Sequence, residues 1–238
     1  MRQLGSALGP MMRTMGTLYL VRHGQASLGA ADYDQLSPLG ERQCQRLGAY
    51  WRARGLRFDA VLTGGLLRHA QSLAGITTGL AQADLPAAQL WPGLNEYDSE
   101  ALIRGVFSGE LERPSSAEAA RRHFGLLREG LRAWMAGQTQ PQGMVSYAEF
   151  SAGVAAALTH VREQCEGDVL LVSSGGPIST AIGQLLQTPH EVIIDLNLRI
   201  RNSALTELGF NPKRLALLTF NTLPHLDAPE DAAMVTFA

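Results

Sequence analysis

Asp168-Val169-Leu170-Leu171-Val172 runs straight into Ser173-Ser174-Gly175-Gly176-Pro177, and this stretch decides the architecture. After its first residue the run is apolar at every position, so both faces of the strand must be covered, as in a parallel sheet flanked by helices. Ser174 can cap and Pro177 can stand in the first turn of a helix that continues to about Gln187. Upstream, Thr17 to Val21 (TLYLV) is a second buried strand that stops abruptly at Arg22-His23-Gly24, and Phe58 to Leu62 is a third that enters Thr63-Gly64-Gly65. Ser37 as cap, Pro38 as first helical residue and Gly55 as stop bracket a helix, and Leu66 to Leu80 has helical spacing. Two further helical patterns cover Ser116 to Met135 and Ser146 to Glu166, the second closed by Gly167. Ser203 to Leu208 and Leu215 to Phe220 read as strands joined through Gly209, Asn211 and Pro212. The segment from Trp91 to about Pro114 has no steady period and reads as a surface excursion of the kind that shapes substrate pockets. Strands alternating with helices predict an α/β fold, a three-layer α/β/α sandwich with a mostly parallel central sheet and its ligand site at the carboxyl ends of the strands. Residues 15–238 are expected to form a single domain behind a disordered N-terminal extension, residues 1–14, whose Gly, Met and small polar groups show no period.

Composition narrows the chemistry. Twenty Lys and Arg stand against 22 Asp and Glu, a balance that argues against the broad basic surface needed for nucleic acid or anionic lipid, so an anion site must be local. The two cysteines, Cys44 and Cys165, match neither a disulfide framework nor a zinc spacing, and no apolar run reaches the roughly 18 residues of a membrane span. A cytoplasmic protein without metal or cofactor is the expectation, and a homodimer is the default assembly to expect.

Three strand ends can share such an anion. Arg22-His23-Gly24, Arg68 and Ser174-Gly175-Gly176 all follow predicted strands, and parallel strands bring their carboxyl ends to one edge. That edge would hold an imidazole, two guanidiniums and a helix N-terminus, whose free N–H groups and positive dipole end suit an anion. Guanidinium forks match phosphate oxygens. Singly, each piece has a structural explanation: His23 as a satisfied polar residue, Arg68 as a solvated helix residue, Ser174 as a cap. Together they point to a phosphoryl group.

The motifs resemble those of the histidine phosphatase superfamily, the phosphoglycerate-mutase-like proteins. Leu20-Val21-Arg22-His23-Gly24-Gln25 is similar to the family's first-strand Arg-His-Gly signature, and Tyr33-Asp34-Gln35-Leu36-Ser37-Pro38-Leu39-Gly40 resembles its Asp-x-x-Leu-Thr/Ser-x-x-Gly stretch. Arg68-His69-Ala70-Gln71-Ser72 is similar to its Arg-Ala-x-Gln-Thr segment, and Leu94-Asn95-Glu96 to its Leu-x-Glu element. The resemblance implies His23 as phosphoryl acceptor, Arg22 and Arg68 as phosphate clamps and Glu96 as acid and base, with the backbone and hydroxyl at Ser174 and Gly175 completing the phosphate site. One position departs. Family members usually carry Ser-His-Gly-Gly after the late strand, the His donating to phosphoryl oxygens, whereas this chain has Ser173-Ser174-Gly175-Gly176. Either another side chain fills the gap, with His69 a candidate and His123, His160 and His225 ranked as surface residues, or the protein is slow or only binds phosphoesters. The family's asparagine shortly after the first signature is also replaced, with Leu28 and Gly29 in its neighbourhood.

These readings lead to a phosphomonoesterase acting through phosphohistidine on a small phosphorylated molecule or a phosphoprotein. Mutase chemistry is the nearest alternative, but the Tyr97 to Pro114 loop offers only Arg104 and Arg113 for a sugar-acid pocket. A serine hydrolase built on Ser174 lacks the G-x-S-x-G elbow and leaves Arg22-His23 without a purpose. A non-catalytic sensor of phosphorylated ligands remains open, and a dinucleotide site is excluded because G-x-G-x-x-G is absent.

Overall fold

The structure, a computed structural model, describes residues 15–27, 34–111 and 116–237. The expected N-terminal extension, and with it Leu28, Gly29, Tyr33, Arg113 and Pro114, lies outside the described residues. Strands β1 (Gly16–Arg22), β2 (Ala60–Thr63), β3 (Gln89–Leu90), β4 (Asp168–Ser173), β5 (Leu205–Asn211) and β6 (Arg214–Thr222) form one sheet in the order β3-β2-β4-β1-β5-β6. β3, β2, β4 and β1 run parallel, and β5 is antiparallel to both β1 and β6. The mostly parallel sheet is therefore present, with an antiparallel hairpin on one side.

Side-chain alternation sorts the core into two layers. Leu18 and Leu20 of β1 and Val169 and Leu171 of β4 face one way, into a cluster with Val154, Leu158, Ile178 and Ile182. Val21, Leu170 and Val172 face the other way, against Cys44, Leu47, Trp51 and Ile76. Each such side chain, fully buried, contributes about 1.5–3 kcal/mol, which is why β1 and β4 carry hydrocarbon at both parities. Helices α1 (Pro38–Arg52) and α2 (Leu67–Leu80) cover the second face. Helices α4 (Ala117–Met135), α5 (Tyr147–Gln164), α6 (Gly175–Leu186) and α7 (His190–Asn197) cover the first, after the short α3 (Ser99–Arg104). Cys44 and Cys165 are both free and lie in opposite layers. No helix among the described residues is long and apolar enough to cross a membrane.

Local signals worked where they were chemical. The Ser37 hydroxyl accepts from Gly40 N–H and Pro38 opens α1, while Ser146 and Glu149 form a reciprocal capping box on α5. The final hairpin turns on Pro212-Lys213, with Asn211 Oδ1 accepting from the N–H groups of Lys213 and Arg214; Gly209 is inside β5 instead of the turn. The expected surface excursion after Trp91 contains α3, capped by Asp98 and anchored by the fully buried Leu102 and Ile103. His225 is likewise not a surface residue: it is 6% exposed, packed in the short 3₁₀ turn Pro224–Leu226, with Nε2 2.9 Å from Ser203 Oγ.

Candidate active site

The carboxyl ends of β1, β2 and β4 open at one edge of the sheet, and the residues singled out by motif gather there. His23 follows β1 directly. Its N–H donates to Ser173 O at 2.9 Å and its carbonyl accepts from Ser203 N–H at 3.1 Å, so its backbone is pinned between the end of β4 and the start of β5. Ser203 makes that bond from a left-handed conformation, φ +53°, with its hydroxyl on His225.

The imidazole of His23 is 3% exposed, and Nδ1 lies 2.7 Å from the carbonyl oxygen of Gly24. A carbonyl only accepts, so Nδ1 carries the proton and Nε2 keeps its lone pair. Burial, then the nearby Arg22 and Arg68 guanidiniums, then His69, hold the ring's pKa well below the ordinary value for histidine. At neutral pH the ring is an uncharged nitrogen base.

Two glycines give the loop its path. A Cβ on Gly24 would sit 2.4 Å from Gly40 O, and one on Gly40 would sit 2.2 Å from Gln25 O, so the loop after β1 and the first turn of α1 meet backbone to backbone. Ser72 closes the same junction: its hydroxyl donates to Arg68 O at 2.7 Å and accepts from Gly24 N–H at 3.0 Å. Gln43 accepts from Gln25 N–H and donates to Met234 O and Thr236 Oγ1, which ties the C-terminal segment to the loop.

Arg68 is the second residue of α2 and 8% exposed. Its Nη1 donates to Asp34 Oδ1 at 2.7 Å, and Asp34 Oδ2 accepts from Leu67 N–H at 2.8 Å, so one carboxylate both caps α2 and aims the guanidinium. Arg22 Nη1 donates to the carbonyls of Ile200 and Phe237. Both guanidiniums act on His23 and Glu96 electrostatically.

The Leu94-Asn95-Glu96 segment is held at each of its three residues. Ser173 Oγ donates to Leu94 O at 2.7 Å, Gly65 N–H donates to Asn95 Oδ1 at 2.6 Å, and the Gly176 N–H at the start of α6 donates to both Glu96 oxygens at 3.1 and 3.2 Å. Burial raises the pKa of this carboxyl, against the lowering pull of Gly176 N–H, Arg68 and Arg22.

Ser174 and Gly175 begin α6, and the structure gives Ser174 an unexpected partner. Although it stands at the N-cap, its side chain caps nothing. Its Oγ is 2.7 Å from His69 Nε2. His123 and His160 are half-buried and have no part in this cluster. Motif reading missed Asp34, Ser72 and Ser203 as supports. The first two stand inside the quoted stretches, but their partners are supplied by the fold.

Comparison with known proteins finds similarity in sequence and in fold. A segment of 116 residues, 45% of this chain, is 31% identical to the broad-specificity phosphatase YOR283W of Saccharomyces cerevisiae; the match spans about half of that protein's length, 50%. Among solved structures, a putative alpha-ribazole-5'-P phosphatase of Escherichia coli superposes with a TM-score of 0.63 at 23% identity, covering 87% of this chain and 96% of that one. The phosphoglycerate mutase of Bacillus anthracis superposes at 0.62 with 19% identity (90% and 96% covered). The phosphoserine phosphatase of Entamoeba histolytica, in complex with 3-phosphoglyceric acid, superposes at 0.60 with 20% identity (89% and 99%). These structures share the fold. Residues 18–223 match the family model itself, and the chain therefore belongs to the histidine phosphatase superfamily, branch 1.

Proposed function

We propose that this member of the superfamily is a phosphomonoesterase in which His23 is the phosphoryl acceptor and Glu96 the acid and base. The observation that carries the reading is the Nδ1 bond of His23 to Gly24 O, which leaves an uncharged Nε2 with its lone pair beside two guanidiniums. Nε2 attacks phosphorus in line, the P–O bond to the leaving group breaks, and Glu96 gives its proton to the departing alkoxide. The phosphorylated ring is cationic, and the Gly24 carbonyl accepting from Nδ1 stabilises it. Water then attacks phosphorus, ionised Glu96 takes the proton, the N–P bond breaks and phosphate leaves. Arg22, Arg68 and the Ser174-Gly175 turn hold the equatorial oxygens, where most of the barrier reduction in phosphoryl transfer arises.

A small phosphorylated molecule or a phosphoprotein is the substrate class this site accepts. Hydrolysis is favoured over mutase transfer because Arg104, the last residue of α3 beyond Glu96, is exposed and occupied by Gly109 O and Glu100. The names of the similar proteins, mostly phosphatases, support the same choice. Turnover of p-nitrophenyl phosphate by the protein, and its loss in His23→Ala with the fold intact by circular dichroism, is the test. Full activity in that variant would refute the assignment.

A further inference from the structure

Three side chains from other parts of the chain converge on the two glycines that open α6. A Cβ on Gly176 would lie 2.2 Å from Glu96 Oε1 and 2.6 Å from Tyr97 Cε1, and one on Gly175 would lie 2.6 Å from Asn197 Oδ1. The bare Cα atoms therefore admit the Glu96 carboxyl, the Tyr97 ring and the Asn197 amide next to one another. Asn197, the last residue of α7, donates from Nδ2 to the Tyr97 hydroxyl oxygen at 2.6 Å. The Tyr97 ring also meets Trp134 and Phe150 edge to face, with centroids 5.9 and 6.4 Å away. α7 is itself set closely on α6: a Cβ on Gly183 would lie 2.2 Å from Ile193 Cγ1, and Ile193 and Ile194 are both buried.

Glu96 is thus anchored on both sides along the chain. Before it, Leu94 and Asn95 are bonded to Ser173 and Gly65; after it, Tyr97 is bonded to α7, just ahead of the Asp98 cap of α3. A general acid works only when it comes within about 2.6–3.2 Å of the leaving oxygen, and a misplacement of about 1 Å costs up to roughly 10²-fold in rate. The Gly176 N–H reaches both Glu96 oxygens at nearly equal length, so it locates the carboxyl without choosing which way it faces. The Tyr97 ring, against the same Cα as Oε1, closes that side. We infer that Tyr97 and Asn197 are positioning residues for the reaction: the Asn197 amide holds the Tyr97 hydroxyl, and the ring keeps the Glu96 carboxyl in the pose from which it gives its proton to the leaving group. This rests on the phosphomonoesterase reading of the site, and both residues act through Glu96.

The test compares phenyl phosphate with p-nitrophenyl phosphate, which have similar shapes but differ in their need for a proton on the leaving oxygen. Tyr97→Phe removes one oxygen and keeps the ring. It should lower kcat/KM for phenyl phosphate about 10-fold and for p-nitrophenyl phosphate about 3-fold or less, as a displaced general acid does. Asn197→Leu should give the same pattern, and the double variant should fall no further than either single one. In a Glu96→Gln background neither substitution should change kcat/KM for either substrate by more than about twofold, because the group they position has already lost its proton. A role in packing alone does not predict this dependence on leaving group and on Glu96. Equal losses on the two substrates, a loss that persists undiminished beside Glu96→Gln, or unchanged turnover of both substrates would each overturn the inference. The His23 and Glu96 assignments would still stand, provided that His23→Ala is inactive and Glu96→Gln is selective for the leaving group. Equal losses on both substrates in Glu96→Gln itself would instead overturn the acid role on which the inference rests. Should Asn197→Leu not fold, Tyr97→Phe decides.

Discussion

Asp34 uses one oxygen to hold Arg68 Nη1 at 2.7 Å and the other to cap the N-terminus of α2 through Leu67 N–H at 2.8 Å. The carboxylate links helix position to guanidinium direction. Asp34→Asn keeps the cap acceptor but gives up the charge-assisted bond, about 1.5–3 kcal/mol. A fall in kcat/KM of about 10–100-fold is expected, together with a drop of roughly 3–12 °C in melting temperature. Steady-state kinetics beside a thermal melt checks this; a purely thermal defect would show that Asp34 serves the helix alone.

The backbone contact between Gly24 and Gly40 predicts a different kind of failure. Ala at either position would drive a methyl to 2.4 or 2.2 Å from a carbonyl oxygen that belongs to the main chain and has little freedom to move. Overpacking of this kind costs about 1–3 kcal/mol, or roughly 2–12 °C in melting temperature for a chain of this size. In Gly24→Ala, activity should fall further than stability, because the Gly24 carbonyl also sets the tautomer of His23. Calorimetry and turnover at a temperature where the variant is folded separate the two.

Glu96 as proton donor implies dependence on the leaving group. Glu96→Gln retains an acceptor for Gly176 N–H but has no proton to give. Alkyl phosphates, with poor leaving groups, should lose about 10²–10⁴ in kcat/KM, and p-nitrophenyl phosphate much less, since nitrophenolate leaves unaided. Equal losses across a leaving-group series would remove Glu96 from the acid role.

Stability should decline on the acid side of neutrality. Burial holds the pKa of His69 and of His225 at about 3, and that of His23 well below its ordinary value. The unfolded chain protonates these rings near pH 6.5, so their contribution is complete above that and is lost progressively as pH falls toward 3. Melting temperature should drop between pH 7.5 and pH 5, before most carboxylates titrate. His225→Gln, which can still bond Ser203, should flatten part of that slope. A melting temperature constant over this window would contradict the assignment of buried neutral rings.

Much of this was legible in the chain. The apolar parity of Leu18 to Val21 and Val169 to Val172 announced a doubly covered sheet, and parallel pairing of β1, β2 and β4 brings the strand ends read from the chain to one edge. β3 escaped because two exposed residues, Gln89 and Leu90, carry no period. α3 and α7 escaped because six and eight residues give little more than one or two turns of pattern. Burial of His225 and the supports from Asp34 and Ser203 are products of tertiary packing across long separations, which periodicity does not encode. The departure at Ser174 was visible as a missing histidine, and its partner sat in plain view beside Arg68, but only the meeting of α2 and α6 joins them.

The most direct measurement is to quench the enzyme in turnover with a phosphomonoester and determine where phosphorus is attached. The account predicts a base-stable, acid-labile phosphoramidate on His23, bonded at Nε2 because Nδ1 is committed to Gly24 O. Phosphate on Ser174, on His69 or at Nδ1 of His23 would contradict it.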